Sequence, residues 1–164
     1  MQTINVFWYK NILEIQWLDP AIFSTRNRIV YSRTVKIYQG IDNPIHIVVK
    51  NQDQKSVNTT GYLLQLDIQD PEIEGAVASF AVETVDAAKG LAVTTIDKDT
   101  VNALDKRFYY ITVKRIDQAT NAESPNYIDD NYSVSLPLEV LPGWYENNRV
   151  TALPDEIIDG GQIQ

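Results

Sequence analysis

The chain has 164 residues, of which 44% are hydrophobic and 22% are charged, a balance typical of a folded domain rather than of a disordered chain. It has no cysteine, which excludes disulfides and thiolate chemistry, and no apolar run reaches the length of a membrane span, so we expect neither a signal peptide nor an anchor. The net charge of −8 repels phosphate, which makes nucleic acid a poor partner.

The charge is spread unevenly along the chain. Residues 1 to 36 carry a net charge of +3, from five basic and two acidic side chains, so the remaining residues carry −11. A basic arm beside an acidic body could dock onto a neighbouring copy, through Arg26, Arg28 and Arg33. The alternative, that the basic side chains are simply scattered over solvated strands, stays open.

The first predicted elements are two short strands, at residues 3 to 9 and 12 to 17. We interpret them as a hairpin with Lys10-Asn11 as its tight turn. Asp19-Pro20 then ends the strand character. Residues 1 to 28 therefore form a predicted N-terminal hairpin or arm.

Seven further strands are predicted between residues 29 and 140, as short runs rich in β-branched and aromatic residues between Gly, Pro, Asn and Asp. Their spacing is typical of a β-sandwich. The predicted strands cover residues 29 to 38, 44 to 50, 61 to 68, 77 to 85, 90 to 96, 107 to 116 and 132 to 140.

The clearest of these strands is RFYYITVKRI, whose side chains alternate between two faces. We expect Tyr109, Ile111 and Val113 to face the core, because that face has more aliphatic surface. Either Tyr109 or Tyr110 could tie the preceding corner through its hydroxyl, although buried aromatic packing explains both residues equally well.

One helical turn is predicted just before that strand, in DKDTVNALDK. Asp97 or Asp99 can cap its first turn. Val101 and Leu104 are three residues apart, so both fall on the face that a short connecting helix would press onto the sheet.

Residues 141 to 164 form a predicted extended C-terminal tail. Pro142, Pro154 and the Gly160-Gly161 pair interrupt it, and it shows little periodicity.

Aromatic side chains concentrate near both ends of the chain and supply the candidate interface. Trp8, Tyr9 and Trp17 lie in the predicted hairpin, and Trp144 and Tyr145 follow the last predicted strand. Trp and Tyr are enriched at protein interfaces and also form sugar-binding platforms. Three interpretations stay open: these residues cover the ends of the core, bind protein, or bind carbohydrate.

The polar stretches hold possible oxygen ligands for calcium, namely Asp42, Asn43, Asn51, Asp53, Asp129, Asp130 and Asn131. They lack the spacing of an EF-hand loop, and Asn and Asp also favour turns because they bond their own backbone. We therefore expect KNQDQKSVN to be a hairpin connection, and we expect no metal or cofactor.

No catalytic motif stands out. The single histidine, His46, is expected on the polar face of a strand, and the sequence has no Gly-x-Ser-x-Gly motif and no phosphate loop. Many acids are present, but no feature selects a pair of them for glycoside hydrolysis. We expect that the protein is not an enzyme.

Several short segments form a pattern over residues 34 to 140. They are Tyr38, Gly40 and Asp42 in a turn, Asp53 and Val57 in a polar hairpin, Thr60, Gly61 and Tyr62 at the start of a strand, and Thr100, Leu104, Tyr109 and Tyr110 around a crossover. Together they resemble the immunoglobulin-like domains of tailed-bacteriophage virion proteins, such as those at the N-terminus of baseplate upper proteins and in marine myophage structural proteins. The family commonly has Leu where Thr59 stands.

This resemblance implies an all-β fold, an immunoglobulin-like β-sandwich over residues 29 to 140, with the arm of residues 1 to 28 and the tail of residues 141 to 164 outside it. It implies a structural component of the tail, baseplate or neck, assembled in the host cytoplasm, whose partners are other virion proteins and copies of itself. Such a domain joins neighbours through arms and sheet edges. The alternatives are a carbohydrate-binding or adhesion module that recognises a host surface glycan, and a capsid decoration protein.

Overall fold

The computed structural model describes residues 1 to 5, 11 to 17, 34 to 126 and 134 to 143. These residues are nearly all in strands and turns, which confirms the all-β prediction. None of their helices is long and apolar enough to cross a membrane. The elements are β1 (Asn11–Gln16), β2 (Val35–Tyr38), β3 (Asn43–Lys50), β4 (Tyr62–Gln69), β5 (Ala76–Asp86), a 3₁₀ turn (Ala87–Lys89), β6 (Leu91–Ile96), α1 (Lys98–Ala103), β7 (Phe108–Asp117), β8 (Glu123–Pro125) and β9 (Ser135–Leu141).

The strands follow one path of neighbours, β1-β3-β6-β5-β4-β7-β9-β2, and β8 pairs with β7 beside it. The long strand β5 joins the two halves of the path, because it pairs with β4 up to Val82 and with β6 from Glu83 onwards. At the two ends of the path, the Asn11 side chain of β1 donates a hydrogen bond to the Lys36 carbonyl of β2 at 2.9 Å. The sheet is therefore nearly closed into a barrel.

The core lies on the inner face of this sheet and follows the alternation of the strands. Tyr109, Ile111 and Val113 of β7 are 3%, 0% and 2% exposed, as predicted. In β3 the same alternation buries every second residue and leaves His46 half-buried on the outer face, in agreement with the sequence.

The connecting helix α1 is built as predicted. Of the two candidate caps, Asp97 caps it, since its carboxylate accepts hydrogen bonds from the Thr100 hydroxyl at 2.6 Å and the Thr100 amide at 3.1 Å. These two bonds lower the pKa of Asp97 below its usual value. Val101 and Leu104 are buried against the sheet.

Within the described residues, the structure differs from the predicted N-terminal hairpin in two places. Residues 1 to 5 contain no strand, and Asn11, predicted as a turn residue, is the first residue of β1. Instead β1 pairs in parallel with β3, with Asn11 opposite Ile45 and Gln16 opposite Lys50. The edge of β3 offers β1 hydrogen-bonding backbone, and its inner face offers buried apolar neighbours. Residues 6 to 10 lie outside the described residues.

The other predicted boundaries differ less from the structure. β2 begins at Val35, and β9 ends at Leu141, one residue beyond the predicted end of the body. The three-residue strand β8 was not predicted, because Glu123–Pro125 has no apolar alternation. Residues 18 to 33 and 144 to 164, which hold the predicted arm boundary and most of the predicted tail, lie outside the described part of the chain.

Candidate functional site

Only one of the eight predicted interface residues, Trp17, belongs to the described residues. It is 7% exposed, so a partner could cover little more of its surface. A flat, exposed sugar platform cannot include it, and its position fits the interpretation that the terminal aromatics cover the core. The other predicted residues lie outside the described ranges: Trp8, Tyr9, Arg26, Arg28, Arg33, Trp144 and Tyr145.

Trp17 holds the end of β1 against two other strands. Its ring meets the Tyr62 ring of β4 edge-on, with centroids 5.0 Å apart. The Arg115 guanidinium of β7 lies 4.7 Å from the Trp17 ring centroid and 5.9 Å from that of Tyr62. Such cation–π contacts are favourable, more so where water is excluded. The cluster therefore fastens β1 to the body of the protein through side chains as well as through backbone pairing.

Two segments that are far apart in sequence, the β2–β3 turn and α1, meet in the structure. The Asp42 carboxylate accepts a hydrogen bond from the Lys98 amide at 2.7 Å. The Gly40 amide donates to the Asn102 side chain at 2.9 Å. We call this contact the turn–helix junction. It joins two of the segments on which the resemblance to phage domains depends.

The described candidates for calcium ligation build turns. Asn43 is buried, and its amide group bonds to the backbone of Tyr38 and Ile41 at 2.9 to 3.0 Å. The Asn51 side chain accepts from two amides within its own loop. Lys50 and Ser56 form a β-bridge across that loop, so the chain turns there locally. The prediction of a hairpin connection is nevertheless wrong, because β3 and β4 on either side of the loop are not neighbours in the sheet. Within the described ranges no cluster of three or more His, Cys, Asp or Glu could hold a metal ion; Asp129, Asp130 and Asn131 lie outside those ranges.

An ion cluster ties the β4–β5 turn to the corner before β7. The Lys106 ammonium lies 2.6 Å from the Asp70 carboxylate and 2.8 Å from that of Glu72. The hydrogen bond from Lys106, with a further bond from the Glu72 amide, holds the pKa of Asp70 below its usual value. The two carboxylates in turn raise the pKa of Lys106.

A tyrosine hydroxyl also ties the corner before β7. The Tyr109 hydroxyl accepts a hydrogen bond from the Lys106 amide at 3.1 Å and donates one to the Asp105 carboxylate at 3.1 Å. Burial raises the pKa of this hydroxyl. Tyr110 points to the opposite face and is 41% exposed. Of the two tyrosines that the sequence left open, Tyr109 therefore makes the corner.

The outer face of β7 exposes large side chains. Phe108 and Tyr110 are 55% and 41% exposed. The Arg107 guanidinium lies 5.2 Å from the Phe108 ring centroid and pairs with Glu139 of β9 at 3.1 Å. The sequence contained the signal for this surface, because the alternation that buries Tyr109 exposes its two neighbours.

Beside these residues a groove of about 360 Å³ opens between β4, β7 and β8. The ion pair of Lys114 and Glu123, at 3.2 Å, forms part of its wall. Residues 127 to 133, which connect β8 to the groove residue Val134, lie outside the described residues. The groove and the exposed side chains of Phe108 and Tyr110 lie on the same outer face of β7.

Comparisons with known proteins give limited information. No protein-family model matches the chain, and no curated protein does. Among solved structures, it is similar to the N-terminal domain of phage TP901-1 ORF48, at 13% sequence identity and a TM-score of 0.47. The match covers 79% of this chain and 98% of the other. A likeness at this level assigns no function to the chain.

Proposed function

We propose that this protein is a non-enzymatic structural component of a tailed-phage virion, located in the tail, baseplate or neck. In this role it joins neighbouring subunits through its terminal arms and sheet edges, and its partners are other virion proteins and copies of itself. It is assembled into the virion in the host cytoplasm.

The observation that carries the proposal is the turn–helix junction. The Tyr-x-Gly-x-Asp turn and the crossover helix belong to separate parts of the sequence resemblance, and they meet through Gly40 and Asp42 at hydrogen-bond distance. Segments that match a family independently and then contact each other are parts of one framework. This supports the view that the resemblance reflects a shared architecture and not a chance set of short matches.

The strand order also supports an immunoglobulin-like architecture. The order β1-β3-β6-β5 corresponds to strands A-B-E-D of an immunoglobulin constant-type domain, and β4-β7-β9 corresponds to C-F-G. Tyr109, near the start of the strand that corresponds to F, makes the hydroxyl-to-backbone bond of a tyrosine corner. Three features depart from that pattern. β1 pairs in parallel with β3, β2 is an added strand beside β9, and β5 pairs with both β4 and β6 and so joins the two groups of strands.

Several charged side chains make contacts that hold the framework together, which supports a structural role. Asp97 caps α1, Asp42 holds the start of α1 to a turn, and Asp70 and Lys106 tie a corner. Each of these groups is engaged in bonding within the framework. The exposed aromatic pair on β7 is of the residue type that anchors protein interfaces.

Fractionation of phage particles tests this proposal. Tailed particles are purified from a lysate that contains the protein, and the amount of the chain is measured by quantitative mass spectrometry against the other virion proteins. We expect a fixed ratio to the tail proteins, with immunogold label on the tail. A chain that stays in the supernatant would overturn the proposal, and label confined to the head would favour capsid decoration.

A further inference from the structure

The strand β1 lies at one end of the sheet path, and its place there is not set by local sequence. Among the described strands it pairs with β3 alone, in parallel, with Ile12 opposite His46 and Glu14 opposite Val48. A tight turn cannot join parallel neighbours. Here the chain passes through residues 18 to 34 and β2 before it reaches β3. The contacts of β1 with the other described strands are therefore made between segments that are distant in sequence.

These contacts form a docking site on the body of the protein. On the inner face, Leu13, Ile15 and Trp17 are 2%, 0% and 7% exposed. They complete the apolar row that every second residue of β3 presents. Without β1 this row would face water, so the site requires a strand whose alternate side chains are large and apolar.

Polar contacts at both ends fix the register of β1. The Glu14 carboxylate pairs with the Lys50 ammonium at 3.0 Å, and the Trp17 amide donates to the Lys50 carbonyl at 3.0 Å. At the other end, the Asn11 side chain bonds to the Lys36 carbonyl. Each bond joins β1 to the body, so a β1 strand from a second copy would reproduce all of them.

The connection between β1 and β2 is long enough for β1 to pair with β3 of its own chain or with β3 of a second copy. The chain between Trp17 and Val35 can span up to roughly 60 Å when extended, which is enough to reach the β3 edge of an adjacent copy. It also allows β1 to return to its own β3, at an effective concentration on the order of millimolar. In dilute solution β1 therefore pairs with β3 of its own chain. In copies packed side by side, β1 of a neighbouring copy is present at a comparable effective concentration and competes for the same β3 edge.

We propose that β1 is an exchangeable strand, which in an assembly docks on β3 of a second copy of this chain. The proposal rests on the proposed function in subunit joining, and it names the segment and the acceptor site. The net positive charge of residues 1 to 36 and the negative charge of the remaining chain favour a contact between copies.

Cysteine substitutions in the full-length chain test the exchange, because the chain has no cysteine of its own. Ile12 and His46 are register partners on the outer face, at a spacing that suits a disulfide. An isotopically labelled I12C chain is mixed with an unlabelled H46C chain, unfolded in denaturant, refolded together at about 1 mM and oxidised mildly. Mass spectrometry without reduction then measures the mixed dimer.

V93C replaces H46C in the matched control mixture. Val93 lies opposite His46 on the next strand, β6, one strand too far from Ile12 for a disulfide. We expect about tenfold more mixed dimer with H46C than with V93C, since effective concentration favours the pair in register. Equal yields of mixed dimer from the two mixtures would overturn the exchange.

The double variant I12C/H46C, oxidised in dilute solution, separates the causes of failure. Closure within one chain shows that β1 occupies β3 in register. If this disulfide forms within one chain but no mixed dimer forms at high concentration, strand exchange is overturned. The particle test of the proposed function is unaffected by that result. If the double variant does not close, β1 does not lie on β3, which also overturns the proposal. Should I12C or H46C prevent refolding, E14C with V48C provides a second register pair on the outer face, at the loss of the Glu14–Lys50 ion pair.

Discussion

Replacing Gly90 by alanine is expected to destabilise the fold strongly, because the new methyl group has no space. Gly90 follows the 3₁₀ turn with a φ of +68°, and a Cβ there would lie 2.7 Å from the Val57 carbonyl oxygen and 2.8 Å from that of Val49. Both oxygens belong to the backbone, so neither can rotate away. The Val49 oxygen also accepts the Val57 amide at 3.2 Å, and this hydrogen bond would have to shift.

Two costs add at this position. An alanine in the left-handed region costs roughly 1 to 2 kcal/mol, and overpacking of a tight site costs roughly 1 to 3 kcal/mol more. The free energy of unfolding should therefore fall by about 2 to 5 kcal/mol. For a chain of this size, that corresponds to a drop in Tm of about 4 to 20 °C.

Gly61→Ala is the matched control. Gly61 also has a positive φ, +88°, but no heavy atom lies within 4 Å of the position of its Cβ. Only the backbone cost applies, about 1 to 2 kcal/mol, or about 2 to 8 °C in Tm. Thermal unfolding of both variants is followed by circular dichroism at one chain concentration. Equal drops in Tm would refute the reasoning, because they would show that the two carbonyl oxygens do not confine Gly90.

Tyr109→Phe removes both hydrogen bonds of the corner and should lower the free energy of unfolding by about 1 to 2 kcal/mol, whereas Tyr110→Phe on the exposed face should change it by less than about 0.5 kcal/mol. Urea unfolding of the two variants measures this difference, and equal effects would count against a corner role for Tyr109. Lys106→Met removes the ammonium partner of Asp70 and should lower Tm at about pH 7. Because the pKa of Asp70 is depressed in the folded chain, the stabilisation is complete above the unfolded pKa and is lost as the pH falls through the folded pKa. The gap in Tm between Lys106→Met and the unsubstituted chain should therefore narrow as the pH falls to about 2 to 3, and a constant gap would contradict this cause. Asn43→Ala removes three hydrogen bonds from a buried turn, and we expect a loss of about 2 to 3 kcal/mol in urea unfolding; an unchanged midpoint would mean that the turn is held by other contacts.

Most of the strands could be predicted from the sequence, because their signals are local. The alternation in RFYYITVKRI depends only on the two-residue period of a strand, and it placed Tyr109, Ile111 and Val113 in the core correctly. The turn at residues 50 to 58 follows from Asn51, whose side chain bonds its own loop.

The candidate site was harder to predict. Seven of the eight predicted interface residues lie outside the described residues, and the eighth, Trp17, is a core residue. An aromatic side chain has the same sequence signature whether it covers a core or a partner, so composition alone cannot separate the two. The exposed pair Phe108 and Tyr110 could have been found from the alternation, once the buried face of β7 had been chosen.

The sequence by itself determined the approximate positions of most strands, which face of β7 is buried, and that Asp97 or Asp99 caps a helical turn. Only the tertiary structure decided that β1 joins β3 in parallel, that the sheet nearly closes, and that Tyr109 rather than Tyr110 makes the corner. The physical reason is the range of the interactions. Side-chain periodicity and turn bonding act between neighbours in sequence, whereas the partner of an edge strand is selected by hydrogen bonds and apolar burial between segments that only folding brings together.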